Sequence, residues 1–204
     1  MSAILFLHGG GHSDHHRYTK LEAKFNALGI ATRAFDHHAT SLAGRLAEAE
    51  IELAVLKKEH HLTDPDIFVW GSSMGGHIAC RLTDTHPAIY GLILQSAAAY
   101  SKDAETIQFG PAFTTELQRE GSWQGSPAFT SLRKYAGPTL VMYGEYDDII
   151  PTGVKTTYQE RAGTSGNFVI LPGAGHSLLR PVSDIGLAAW DSMLSAAITF
   201  INQH

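Results

Sequence analysis

The chain has 204 residues, 44% of them hydrophobic and 17% charged, with a formal net charge of −5, as in a globular chain long enough for one substantial core. That charge and the absence of basic clusters argue against nucleic acid or an anionic membrane surface as partner. No apolar stretch approaches a membrane-spanning length, residues 2–7 are too short for a signal peptide, and the single cysteine excludes an internal disulfide, so the cytoplasm is the expected location.

Ala3-Ile4-Leu5-Phe6-Leu7 reads as a buried strand and ends directly in His8-Gly9-Gly10-Gly11. Glycines just past a strand end let the backbone turn sharply and point bare N–H groups into a cleft, as an oxyanion hole requires. A plain strand-to-helix turn is the competing reading. Residues His15–Leu28 have helical spacing through Tyr18, Leu21, Phe25 and Leu28, and stop at Gly29. Ile30–Phe35 is a second strand. Ser41–His60 carries Leu42, Leu46, Ala49, Leu53 and Leu56 at helical periods, with Ser41 as N-cap.

The strand Ile67–Trp70 runs into Gly71-Ser72-Ser73-Met74-Gly75 and then the helix-compatible Gly76-His77-Ile78-Ala79-Cys80-Arg81-Leu82. A strand, a glycine-flanked serine and a helix make the layout of a nucleophile elbow, with Ser73 at its apex. The apex backbone is strained, so the positions two before and two after must be tiny; here they are Gly71 and Gly75. Paired with this elbow, the N-terminal glycine loop becomes the second half of one device. The amides of Gly10 and Met74 are its expected donors, with Gly11 as a third. Cys80, inside the following helix, is expected to pack as a small apolar residue.

That helix is expected to end near Thr85-His86-Pro87, and Gly91–Gln95 is the next strand. Residues Ser96–Gly137 break the rhythm, with no obvious regular structure and a content rich in Phe, Trp, Gly and Ser. A connection this long is usually functional. Phe109, Phe113 and Trp123 are candidates to line an acyl pocket, the alternative being that they anchor the segment to the flank of the sheet. Strand Leu140–Tyr143 precedes Gly144-Glu145-Tyr146-Asp147-Asp148. Asp147 is taken as the acid that orients a histidine, with Asp148 and Glu145 as competitors. Helix Thr152–Arg161, strand Phe168–Leu171 and a last helix over Ile185–Ile201 complete the alternation. His176 sits on a glycine-rich loop after that last strand, where its ring can lie between serine and acid.

Four motifs, His8-Gly9-Gly10-Gly11, Gly71-Ser72-Ser73-Met74-Gly75-Gly76, Gly144 to Pro151 and Gly173-Ala174-Gly175-His176, resemble those of the α/β-hydrolases in order, across essentially the whole chain. The Ser-Ser-Met-Gly-Gly form is similar to small esterases and to acyl-protein or acylglycerol hydrolases. The resemblance implies one domain over residues 1–204, with the family's cap reduced to a short insertion at about 96–137. One departure stands out. The family often has two antiparallel strands before the one leading to the oxyanion loop, whereas here that strand begins at Ala3. The expected fold is therefore a trimmed, mostly parallel α/β sheet of about six strands, flanked by helices on both faces.

The implied activity is a serine hydrolase cleaving carboxylic esters or thioesters of small to medium acyl groups, through an acyl-enzyme and without a cofactor. Ser73 would attack, His176 act as base and then acid, and Asp147 orient it. A peptidase or amidase of the same fold is the alternative, and a non-catalytic binding protein a more distant one. Twelve histidines raise the question of a metal. No His-Glu-x-x-His or matched cysteine spacing occurs, and none is expected. His8 is expected to brace the glycine loop, and His77, Gln95 and Ser96 to border the cleft.

Overall fold

A computed structural model of the chain describes residues 2–10, 15–162, 167–177 and 184–204. The apolar runs form six strands: β1 Ala3–Leu7, β2 Ala31–Arg33, β3 Ile67–Ser72, β4 Gly91–Gln95, β5 Thr139–Gly144 and β6 Phe168–Leu171. All pair in parallel, in the order β2-β1-β3-β4-β5-β6. The described residues also form seven α-helices: α1 Thr19–Ala27, α2 Leu42–His60, α3 Met74–Leu82, α4 Pro111–Gln118, α5 Pro127–Lys134, α6 Thr152–Ala162 and α7 Asp184–Gln203.

Both faces of a parallel sheet are buried, so alternate residues of one strand enter different cores. Ala3, Leu5 and Leu7 pack with α2, α3, α5 and α6. Ile4 and Phe6 pack with α1 and α7 through Leu21, Phe25, Met193 and Phe200. Helix α2 shows how sequence selects its own ends. Ser41 Oγ accepts from the Gly44 N–H at 3.1 Å, and His61 closes the helix in the left-handed region at φ 55°. A cap of the first kind is worth about 1 kcal/mol.

From β1 the chain moves out to β2 at the edge and then returns across β1 to β3, so the order reverses between β1 and β3. Open α/β sheets place their functional groups in the crevice outside the strand ends at such a reversal. Here the glycine loop leaves β1 and Ser73 leaves β3, side by side, with Leu7 opposite Gly71 in the register.

Three expectations need correction. Residues 15–28 split into a 3₁₀ turn, His15–Tyr18, followed by α1, rather than one helix. Strand β2 is shorter than Ile30–Phe35, in keeping with its place at the sheet edge. Residues 96–137 are not irregular: they hold a 3₁₀ turn at Asp103–Glu105 and the helices α4 and α5. Each of those helices has eight residues and begins with proline, whose fixed φ and missing N–H suit a first helical position.

Candidate active site

Ser73 joins the end of β3 to the start of α3 with φ 52° and ψ −114°, a backbone state that costs about 1–3 kcal/mol for a side-chain-bearing residue. The surroundings hold it there. Its N–H donates to Gln95 O at 2.9 Å, and its carbonyl accepts from the N–H groups of Gly76 at 3.0 Å and Ala98 at 2.9 Å. A methyl group on Gly71 would lie 2.4 Å from Gly75 O, so the tight turn has room only for glycine.

His176 reaches the serine from beyond β6. Its Nε2 lies 3.1 Å from Ser73 Oγ, and its Nδ1 lies 3.0 Å from both carboxylate oxygens of Asp147. An ionised carboxylate can only accept, so Nδ1 carries the proton and Nε2 is left to accept from the serine hydroxyl. The His176 carbonyl takes a hydrogen bond from Ser96 Oγ at 3.1 Å, a tether at the end of β4 that fixes the loop. Ser96 thus touches the loop that carries the histidine rather than the open cleft.

Asp147 is buried, and its Oδ1 accepts from the N–H groups of Ile149 and Ile150 at 3.1 Å each. Burial alone raises its pKa. The hydrogen bond and charge of His176, the Ile150 amide and nearby Lys155 together outweigh that, leaving the carboxyl below its ordinary range. The competitors are otherwise engaged: Glu145 Oε2 accepts from the Gly173 N–H at 2.8 Å, and Asp148 is exposed.

Of the expected oxyanion donors, Met74 is the first residue of α3, where an N–H has no intrahelical acceptor. Gly10 lies across from it, with the Met74 Cε 3.4 Å from where a Gly10 Cβ would be. Gly11 lies outside the described residues. His8 braces the loop as expected, with Nδ1 2.9 Å from Gly9 O.

Two hollows meet at Leu117 of α4. One, of about 370 Å³, is lined by Ser73, Tyr100, Trp123, Ile149 and Ile150. The other, of about 470 Å³, is lined by Arg45, Met74, Phe109 and Phe113. The three aromatic candidates do not share one pocket: Trp123 lines the first hollow with Ser73, whereas Phe109 and Phe113 line the second, beside Met74.

His77 and Gln95 do not border the cleft. The His77 ring is fully enclosed, accepting from the Tyr100 N–H at 3.3 Å and meeting Glu105 at 3.2 Å, and burial lowers its pKa. It ties the insertion to α3. Gln95 is buried and accepts from Trp70 Nε1 at 3.2 Å. Burial pushes the Cys80 thiol up to about 12, which suits an apolar packing residue and not a nucleophile. Among the described residues no group of three or more His, Cys, Asp or Glu side chains is arranged to hold a metal ion.

The family model described as serine aminopeptidase, S33, matches residues 1–120, the part that carries the glycine loop and the elbow. The chain belongs to this α/β-hydrolase family. No curated protein matches it. Among solved structures, an esterase of Thermogutta terrifontis with propionate bound is 19% identical with a TM-score of 0.70, over 99% of this chain and 83% of that one. The monoacylglycerol lipase of Paleococcus ferrophilus is 17% identical with a TM-score of 0.63, over 95% and 94%. Est1E of Butyrivibrio proteoclasticus is 20% identical with a TM-score of 0.64, over 98% and 88%. At these identities the likeness is one of fold, and this α/β-hydrolase has a trimmed form of it.

Proposed function

We propose that the protein is a serine hydrolase that cleaves carboxylic esters or thioesters of small to medium acyl groups. The observation that carries this reading is His176, which spans Ser73 and Asp147 at 3.1 and 3.0 Å. His176 Nε2 takes the Ser73 proton as Oγ bonds to the substrate carbonyl carbon. The carbonyl oxygen becomes negative and is held by the N–H groups of Gly10 and Met74, each such donor being worth roughly 10²–10³ in turnover. The imidazolium then gives its proton to the departing alkoxide or thiolate, leaving Ser73 acylated. Water, deprotonated by the same nitrogen, releases the carboxylic acid and restores the serine.

The hollow beside Ser73, with Trp123, Tyr100 and Ile150 on its walls, suits the acyl group, and residues 96–137 serve as a short cap on one α/β-hydrolase domain. The esterases and the lipase of similar fold support ester chemistry. No helix among the described residues is long and apolar enough to cross a membrane, and a single buried cysteine suits a cytoplasmic enzyme. A second reading, amide cleavage next to a free amino group, is favoured by the family's description and by Glu120, one of the residues that line the same hollow. A panel of p-nitrophenyl esters, acyl thioesters and amino-acid amides separates the two. Ester or thioester turnover that vanishes in Ser73→Ala supports the first, and turnover confined to amides overturns it.

A further inference from the structure

The Gly9 carbonyl is held from two directions. Arg45, the fourth residue of α2, donates to it from Nη1 at 2.9 Å, and His8 Nδ1 lies at the same distance. A carbonyl only accepts, so that His8 nitrogen carries its proton. The described residues include no cis peptide bond, and a planar trans peptide points its N–H opposite its C=O. The oxygen of the Gly9–Gly10 peptide faces Arg45, so the Gly10 N–H faces away from it. The same loop runs against the serine: a Cβ on Gly9 would lie 3.0 Å from Ser73 Cβ and 3.6 Å from Ser73 Oγ.

Stability alone does not favour an arginine here. Its side chain is buried, its Nε has no hydrogen-bond partner, and burial lowers its pKa. The position is also close to the positive end of α2, where a cation is disfavoured. The charge is accommodated by Glu48 one turn on, and by the Phe109 ring, whose centroid is 4.9 Å from the guanidinium carbon. Phe109 is in turn fixed to the start of α2 by its N–H, which donates to Thr40 O at 2.6 Å.

We propose that Arg45 is a positioning residue of the oxyanion hole: its hydrogen bond to Gly9 O sets the direction of the Gly10 N–H and polarises the peptide that presents it. This rests on the reading of Gly10 as an oxyanion donor. A charged donor on the carbonyl strengthens the N–H of the same peptide, because linked hydrogen bonds polarise one another. The arginine's hydrogen bond is to Gly9 O, so in this proposal it acts through the Gly9–Gly10 peptide, at the stage at which negative charge develops.

The test uses the full chain with Arg45→Met, which keeps the apolar stem and removes the donors, and Arg45→Lys, which keeps one charged donor. On p-nitrophenyl acetate, Arg45→Met is expected to lower kcat about 10- to 100-fold, short of the loss of a whole donor. KM should stay within about twofold, the pattern of an interaction made only in the transition state. Affinity for a trifluoromethyl ketone, whose adduct carries the oxyanion, should fall by the same factor as kcat/KM. Affinity for a planar substrate analogue should not, and Arg45→Lys should recover most of the loss. Active serine is counted by fluorophosphonate titration in each variant. If activity falls only in step with that count, or if ketone affinity is unchanged, Arg45 is merely structural and the proposal fails. Wild-type ester hydrolysis that survives Ser73→Ala is a different failure: it removes the catalytic reading and this proposal with it.

Discussion

Gly75 passes so close to the end of β1 that a methyl group on its Cα would sit 1.9 Å from the carbonyl oxygen of Leu7. This contact sets the distance between the elbow and the glycine loop, because Leu7 is followed directly by His8-Gly9-Gly10. Backbone opposes backbone here, with no flexible side chain to yield. Gly75→Ala is expected to destabilise by about 3 kcal/mol or more, the upper end for overpacking, and so to lower Tm by roughly 6–12 °C. Gly10→Ala is the control for stability, since its Cβ would meet only the flexible end of Met74 at 3.4 Å. Thermal unfolding of both variants checks this, and equal melting points would mean that the elbow and β1 separate easily.

Ser73, not Ser72, is expected to carry the covalent intermediate. Ser72 is a buried residue of β3 paired opposite Gln95, whereas Ser73 stands at the positive-φ apex within reach of His176. A fluorophosphonate probe should label Ser73, as read by mass spectrometry of the labelled peptide. Labelling that persists in Ser73→Ala would assign the nucleophile elsewhere.

The two neighbouring acids make a sharper comparison. Asp147→Asn keeps the shape but lets the side chain donate to Nδ1, favouring the wrong tautomer of His176, and should lower kcat roughly 10⁴-fold. Asp148 is exposed, and Asp148→Asn should leave turnover and Tm unchanged. Steady-state kinetics on one ester suffice, and the reverse ranking would transfer the role to Asp148.

Much of this architecture was legible because buried parallel strands write themselves as short apolar runs, as Leu92-Ile93-Leu94 does. The elbow was legible because Gly71 and Gly75 bracket Ser73 at the only spacing the turn tolerates. Helices α4 and α5 were not, since eight residues give too few turns for periodicity to emerge; Pro111 and Pro127 were the signals that could have marked their starts. Arg45 was also missed, though its spacing offered a clue: it follows Leu42 by three residues and precedes Ala49 by four, on the apolar face of α2. A charge in that phase points inward. Ser96 gave no such clue, because what it holds is a backbone carbonyl 80 residues away in sequence.

A pH effect on stability follows from His37. Its ring is buried beside His8 and Arg45, and burial with those positive neighbours lowers its pKa from 6.5 to about 4, against the opposing pull of Glu48. The unfolded chain therefore binds a proton near pH 6.5 that the folded chain refuses until about pH 4, so stability falls as the pH drops through that window. The loss attributable to this group is at most about 3 kcal/mol. Glu48, held below its ordinary range once the His37 hydrogen bond and the His38 and Ala39 amides outweigh burial, adds its own loss at lower pH. Urea unfolding from pH 7 to 4.5 should show the decline, and His37→Gln should make it shallower, the buried His77 keeping its own share. An equally steep decline in that variant would exclude His37 as its source.

The last prediction concerns acyl length. Trp123 forms part of the wall of the hollow beside Ser73 and leans on α6 so tightly that a Gly153 Cβ would lie 2.3 Å from its ring. Each methylene accommodated should add up to about 0.8 kcal/mol to transition-state binding, roughly a fourfold gain in kcat/KM, until the hollow is full. Preference is expected to peak at short to medium chains, and Trp123→Ala should move that peak to longer ones with little effect on acetyl esters. Phe113 is a different case. It is buried against Phe109 and Tyr100 and lines the other hollow, so Phe113→Ala should cost about 3–5 kcal/mol of stability and leave the position of the peak unchanged. Measuring kcat/KM from acetyl to lauroyl esters on both variants, alongside their melting points, decides between the hollows. An unshifted profile in Trp123→Ala removes the acyl group from the Trp123 hollow, and a shift confined to Phe113→Ala moves it to the side of Arg45.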